Sequence, residues 1–211
     1  MKKKILFLAT HAYPLFNPKD KSSFGGSELQ LYTIAKELVK ECYEISFIVG
    51  DFSQKKYEYY NSIKLVRTSS PKSGSSLIKF FQALQYFLTL VKENPAICIT
   101  SSANSTVGVV GIYCTLFRKK HIHRIANIID TNMYWIKQNG ILGKVYKYGL
   151  EHADHVICQT NEQKRELKKN HNINATIFRN VFEFYSKKKR QKKKNIHWDG
   201  RSYFIKRKKY I

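Results

Sequence analysis

The residues from Lys4 to Thr10 form a continuous apolar run of strand length. After a loop containing Pro14, Pro18 and Gly25-Gly26, the residues Leu31, Ile34, Ala35, Leu38 and Cys42 recur at helical spacing across Ser27 to Glu41. Glu44 to Val49 and Ile63 to Arg67 predict further strands. A Ser, Pro and Gly loop from Thr68 to Ser76 leads into Leu77 to Val91, where Leu77, Phe80, Phe81, Leu84, Leu88 and Val91 make a helical stripe that Asn94-Pro95 ends. Ala96 to Thr100 predicts the next strand. The alternation continues with helix Thr106 to Phe117, strand His123 to Ile129, a long loop from Asp130 to Gly140, helix Leu142 to His152, strand His155 to Gln159, helix Glu162 to Asn170 and strand Ala175 to Arg179. Apolar strands separated by amphipathic helices predict an α/β domain, a doubly wound, mostly parallel Rossmann-like sheet with helices on both faces, ending near Phe182.

Charge divides the 211-residue chain in two. Lys and Arg number 38 against 15 Asp and Glu, a net charge of +23. Residues 184–211 hold twelve basic side chains and one acid, Asp199, so +11 lies in that tail and +12 in residues 1–183. Lys187 to Lys194 is a basic block broken only by Gln191, a solvated linker by composition. Thirty of the basic residues are Lys and eight are Arg, which fits compositional bias as well as selection for a ligand. Three accounts of the charge stay open: a solvated surface, contact with an anionic membrane, and nucleic-acid binding through the tail with Trp198, Tyr203 and Phe204. No nucleic-acid-binding motif accompanies the basic residues, so nucleic acid is not expected.

Cys42, Cys98, Cys114 and Cys158 are scattered without metal-ligand spacing, which predicts buried thiols in a reducing compartment. The apolar run behind Met1-Lys2-Lys3-Lys4 is too short for a signal peptide, and no other stretch reaches the ~20 residues of a bilayer span. The expected location is cytoplasmic, with peripheral contact at the inner face of the membrane as an option.

Ligands of a doubly wound sheet bind outside the carboxyl ends of its strands, so the loops there carry the candidate chemistry. Gly25-Gly26 at a helix start would let backbone N–H groups approach a phosphate or a sugar, and the pair would serve equally as an entry turn. Asp130, after the strand from His123, has the chemistry of a general base or a hydroxyl ligand, or of a cap, and Asn127 shares its loop. Thr160, in Gln159-Thr160-Asn161, would contact substrate or cap the following helix. Of the seven His, only His11 falls at the predicted edge. Tyr134 and Trp135 would stack on a sugar or lipid, or pack.

Phe24-Gly25-Gly26-Ser27-Glu28, followed by Ile34-Ala35-Lys36-Glu37-Leu38, resembles the first loop and helix of family 4 glycosyltransferases. Ala153-Asp154-His155-Val156-Ile157-Cys158-Gln159-Thr160-Asn161-Glu162-Gln163 resembles a second segment of that family, and Thr176-Ile177-Phe178-Arg179-Asn180-Val181 a third. The motifs stand in the family's order from Lys4 to Phe182.

The resemblance implies a GT-B architecture, in which two Rossmann-like domains face each other across a cleft. A sugar then passes from a nucleotide donor to a glycan or lipid-linked acceptor with no metal and no other cofactor. The N-terminal domain there mainly binds acceptor, and the C-terminal one binds donor and carries a Glu-x7-Glu motif that this chain lacks. Asn127 and Asp130 stand where many members have a His. Ile196 to Arg201, with Lys206 downstream, resembles the first strand and phosphate-binding turn of the second domain, so Arg201 and Lys206 are expected to be a phosphate-binding remnant. These features predict an acceptor-side domain over 1–183 and a basic linker over 184–211. The chain would be a truncated enzyme of cell-surface polysaccharide or glycolipid synthesis, or one subunit of a split enzyme whose donor domain is a separate polypeptide.

Overall fold

In the computed structural model, which describes residues 2–69 and 76–179, β1 (Lys4–Leu8) lies at the centre of a sheet. It pairs in parallel with β2 (Glu44–Val49) on one side and β5 (Ile97–Ser101) on the other. Beyond β2 come β4 (Ile63–Arg67) and β3 (Tyr57–Tyr60); beyond β5 come β6 (Lys120–Arg124), β7 (His155–Cys158) and β8 (Thr176–Ile177). The order is β3-β4-β2-β1-β5-β6-β7-β8, and only β3 with β4 is antiparallel. Asn61 and Ser62, which close that hairpin, both have positive φ (48° and 67°), the geometry that matches strand twist in a two-residue turn. The hydrophobic pattern missed β3 because Tyr57-Glu58-Tyr59-Tyr60 has one apolar-polar alternation at most.

Side chains of β1 alternate between two cores. Ile5 and Phe7 pack with Phe47, Leu31 and Ala35 under α2 (Gly26–Lys40), and the Phe7 and Phe47 rings stack at 4.8 Å. Leu6 and Leu8 face the opposite layer, meeting Tyr86 and Leu90 of α3 (Ser76–Glu93) and Val110 and Tyr113 of α4 (Thr106–Phe117). The short helices α1 (Tyr13–Phe16) and α5 (Tyr134–Gln138) sit in loops. In a third core α6 (Gly140–Glu151) supplies Tyr146 and Leu150, and α7 (Asn161–His171) supplies Leu167. The backbones of α4 and α6 touch. A Cβ on Gly108 would overlap Val145 O, and one on Gly149 would overlap Val107 O.

Three expectations change. The stripe of α3 does not cover the sheet: Leu77, Phe80, Phe81 and Leu88 are 57–64% exposed, while Tyr86, Leu90 and Glu93 on the other side are buried. The helix is apolar around most of its circumference, so periodicity identified the helix but not its inner face. Strand β6 occupies Lys120–Arg124 rather than His123 to Ile129. The polar segment Lys120-His121-Ile122-His123-Arg124 is stable inside because Thr100 and Ser101 of β5 supply partners for its inward groups, and Asp154 accepts from His121 N at 2.9 Å. Cys42 is exposed; Cys98, Cys114 and Cys158 are buried, and all four are free thiols. The boundary near residue 183, the tail 184–211, and Arg201 and Lys206 within it lie outside the described residues.

Candidate functional site at the carboxyl edge of the sheet

From β1 the chain winds outward to β2 and β4, then returns through α3 to β5 on the other side of β1. The loops after β1 and β5 therefore diverge from neighbouring strands, and such a switch point opens the crevice where doubly wound sheets bind ligands. Leu8 pairs with Thr100 there, so the segments starting at Ala9 and at Ser102 border the same crevice. Hydrogen bonds continue the ladder past the strand ends: Ala9 N to Ile48 O at 3.1 Å, Gly50 N to Thr10 O and Thr68 N to Val49 O at 2.9 Å. His11 follows at the tip of a turn closed by Ala12 N to Ala9 O, and it is exposed.

Gly25 is the N-cap of α2 and Gly26 its first residue, and both are exposed. A Cβ on Gly26 would meet nothing within 4 Å, whereas one on Gly25 would press on the Glu28 carboxylate. Glu28 in the first turn, held by Ser27 Oγ at 2.8 Å, already complements the helix dipole.

Asn127 and Asp130 act as a pair. Asp130 Oδ2 accepts from Ala126 N at 2.9 Å and Asn127 N at 3.0 Å, and Asn127 Oδ1 accepts from Ile129 N at 2.7 Å, which forms a reciprocal cap on a short 3-10 turn, Ile128–Asp130. Asp130 is buried, whereas Asn127 is exposed. Burial raises the Asp130 carboxyl above the usual carboxylate range, opposed by the amides of Asn127, Ala126 and Ala103 and by the Arg124 guanidinium. The general base expected at Asp130 would have to reach an acceptor hydroxyl. In this structure the carboxylate turns inward and braces the loop, because buried backbone N–H groups need acceptors.

Thr160 is the N-cap of α7, its Oγ1 accepting from Gln163 N at 3.1 Å, while Gln163 Oε1 takes Gln159 N at 2.7 Å. Gln159 Nε2 reaches the carbonyls of Ile125 and Ala126 at 3.0 and 3.1 Å, tying the ends of β6 and β7 together. Trp135 packs edge-to-face on Tyr146 at 5.3 Å, and Tyr134 is exposed.

Sequence reasoning missed Ser101, Asn104 and Arg124. Arg124 is buried at the carboxyl end of β6, its Nη1 donating to Ser101 Oγ at 3.3 Å, and burial lowers its pKa while Asp130 opposes this. Asn104 braces the turn that leads into α4, its Oδ1 accepting from Thr106 N at 3.0 Å and from Thr106 Oγ1. The polar run Ser101-Ser102-Ala103-Asn104-Ser105-Thr106 directly after an apolar strand was the available signal. Among the described residues no group of three or more His, Cys, Asp or Glu could hold a metal ion.

Residues 24–180 match the profile of Glycosyltransferase Family 4. The chain belongs to that family. No curated protein matches its sequence. Among solved structures, UDP-GlcNAc 2-epimerase from Methanocaldococcus jannaschii superposes with a TM-score of 0.52 at 14% identity, over 80% of this chain and 42% of that one. MurG from Acinetobacter baumannii superposes with a TM-score of 0.53 at 8% identity, over 88% and 47%. MnaA from S. aureus, determined with UDP, superposes at 0.52 and 13% identity, over 84% and 43%. At these identities the likeness is one of fold, and this family 4 chain spans less than half the length of each of the three. The matched segment of the family 4 profile begins at the Gly25-Gly26 loop and includes the carboxyl-edge loops after β5, β6 and β7.

Proposed function

We propose that this chain is the acceptor-side lobe of a nucleotide-sugar-dependent glycosyltransferase that builds cell-surface polysaccharide or glycolipid. The observation that carries the reading is the family match, laid over a sheet whose carboxyl edge carries the loops that diverge at the switch point between β1 and β5. A glycan or lipid-linked hydroxyl would lie along the loops after β1, β5 and β6. His11 and the open surface over Gly26 would meet it, with the exposed Asn127 amide at the far end. Thr160 would contribute by holding its loop, since its hydroxyl is taken up by the cap. The donor is a nucleotide sugar, with a diphosphate leaving group and no metal or other cofactor.

Transfer requires donor and acceptor to be held together, with donors aimed at the developing charge on the leaving diphosphate. Here those groups belong to a second lobe or a separate polypeptide, and this chain alone transfers little or no sugar. Assays of the full chain with UDP-sugars and membrane-extracted glycolipid acceptor test this. The expected result is acceptor binding, weakened by His11→Ala and Gly26→Val, without turnover. Transfer by the chain alone, at a rate comparable with a two-lobed relative, would overturn the division of labour.

A further inference from the structure

The loop that leaves β1 is anchored three strands away. Between β1 and α2, Ala12, Tyr13, Pro14 and Phe16 are buried, whereas every residue from 21 to 26 is exposed. A loop whose outer half makes no core contact takes its position from its root. Ala12, Pro14 and Phe16 pack there without preferred direction. Tyr13 differs, because its hydroxyl donates to Glu58 Oε2 at 3.1 Å.

Glu58 lies on β3, at the end of the strand order, with β4 and β2 between it and β1. Its carboxylate is itself held in place. Lys55 N donates to Oε1 at 3.2 Å, and the Tyr60 hydroxyl donates to Oε2 at 3.1 Å. The segment before β3 completes a bracket: Phe52 stacks on the Tyr13 ring at 5.3 Å, and the buried Gln54 accepts from Phe52 N at 2.6 Å and donates to Gly50 O at 2.7 Å. On the loop's own side, Asn17 Nδ2 donates to the Tyr13 hydroxyl at 3.2 Å and Asn17 N to Tyr13 O at 3.1 Å. A ring gripped on its face and at its hydroxyl fixes both the place and the rotation of α1, and hydrogen bonds to an ionised acceptor are the stronger ones.

We infer that Glu58 is a positioning residue for the acceptor site: through Tyr13 it sets where His11 and the Gly25-Gly26 loop stand at the carboxyl edge. Glu58 acts through Tyr13 and has no direct part in transfer. That this loop meets an acceptor rests on the function proposed above; that Glu58 holds the loop does not.

Hydrogen exchange of the full chain without ligand tests the hold. Glu58→Ala should speed exchange at Leu15 N and Asn17 N about tenfold, with the amides of α7 unchanged. Tyr13→Phe cuts the same bond from the other side while keeping the ring; it should act alike and serves if the first variant misfolds. Glu58→Gln, which keeps an acceptor oxygen, should recover most of the protection. Tyr60→Phe removes the other hydroxyl on the same oxygen and should leave both loop amides as in wild type. No change in Glu58→Ala and Tyr13→Phe, an equal effect from Tyr60→Phe, or acceleration that spreads to α7 would reduce the contact to general packing and overturn the inference. Binding of membrane-extracted glycolipid should weaken about fivefold or more in Glu58→Ala and not in Tyr60→Phe. Faster loop exchange with binding unchanged would overturn the role of Glu58 at the acceptor site. Wild-type protein that binds no glycolipid would count against the acceptor-side function instead, and the exchange result would still decide whether Glu58 holds the loop.

Discussion

Thr100 Oγ1 lies 2.8 Å from His123 Nδ1, and the same hydroxyl also serves His121 Nε2 at 2.9 Å. Both imidazoles are fully buried, and their outer nitrogens, His121 Nδ1 and His123 Nε2, have no hydrogen-bond partner. Burial pushes His121 down to about 4, with Asp154 opposing the shift. Burial takes His123 well below the usual range, and the neighbouring His121 and Arg124 add to it. The folded protein keeps both rings neutral, whereas the unfolded chain takes up a proton on each near pH ~6.5.

Stability should therefore be complete above pH ~6.5 and fall as pH drops below it, by about 1.4 kcal/mol per pH unit for each ring, until the folded-state values are reached. Urea unfolding at pH 7.5, 6 and 5 measures the slope. The His121→Leu, His123→Leu pair should flatten it. A wild-type profile already flat over this range would mean that the rings are not held neutral.

The contact between α4 and α6 makes a sharper demand. Gly108→Ala or Gly149→Ala places a methyl group against backbone, which neither helix can move aside cheaply. Each should cost about 1–3 kcal/mol in unfolding free energy. Gly26→Ala, facing open space, should leave stability unchanged or raise it slightly. Thermal melts of the three variants should rank in that way, and equal melting temperatures would contradict the close approach.

For Asp130 the bracing geometry predicts a stability effect. Asp130→Ala leaves the Ala126 and Asn127 amides without their acceptor and should lose roughly 1–3 kcal/mol. Asp130→Asn keeps a carbonyl oxygen in place and should lose less. Chemical denaturation distinguishes this from a purely chemical role, for which both variants would unfold like wild type.

At the start of α7, Thr160→Ala removes the side-chain acceptor of Gln163 N and should cost about 1 kcal/mol. Thr160→Ser, which retains the oxygen, should recover most of it. Hydrogen exchange at Gln163 N, faster in the alanine variant alone, reports the cap directly.

Much of this architecture was legible in the pattern of side chains. β2, β4 and α4 fall where the pattern placed them, because long one-sided or wholly apolar runs leave few alternatives. Strand β6 was not legible. Its two histidines are stable inside only through Thr100, a residue of another strand. The outward turn of α3 was hidden for the opposite reason: a helix apolar on most sides carries no marker of which side meets the sheet. At the edge, Gly25-Gly26, His11 and Thr160 were visible as loop chemistry. Arg124 falls inside the expected strand His123 to Ile129, where nothing in the pattern marks its pairing with Ser101.

The hydrogen bonds that run past the ends of β1, β2 and β4 carry a consequence for motion. Ala9, Gly50 and Thr68 donate their amides to the next strand or its loop, so the loops at this end of the sheet are stitched to one another in a staircase. None can lift without breaking its neighbour's rung. Whatever approaches this edge meets a preformed surface that shifts as a whole, and these three amides should exchange with solvent as slowly as those of the central strands.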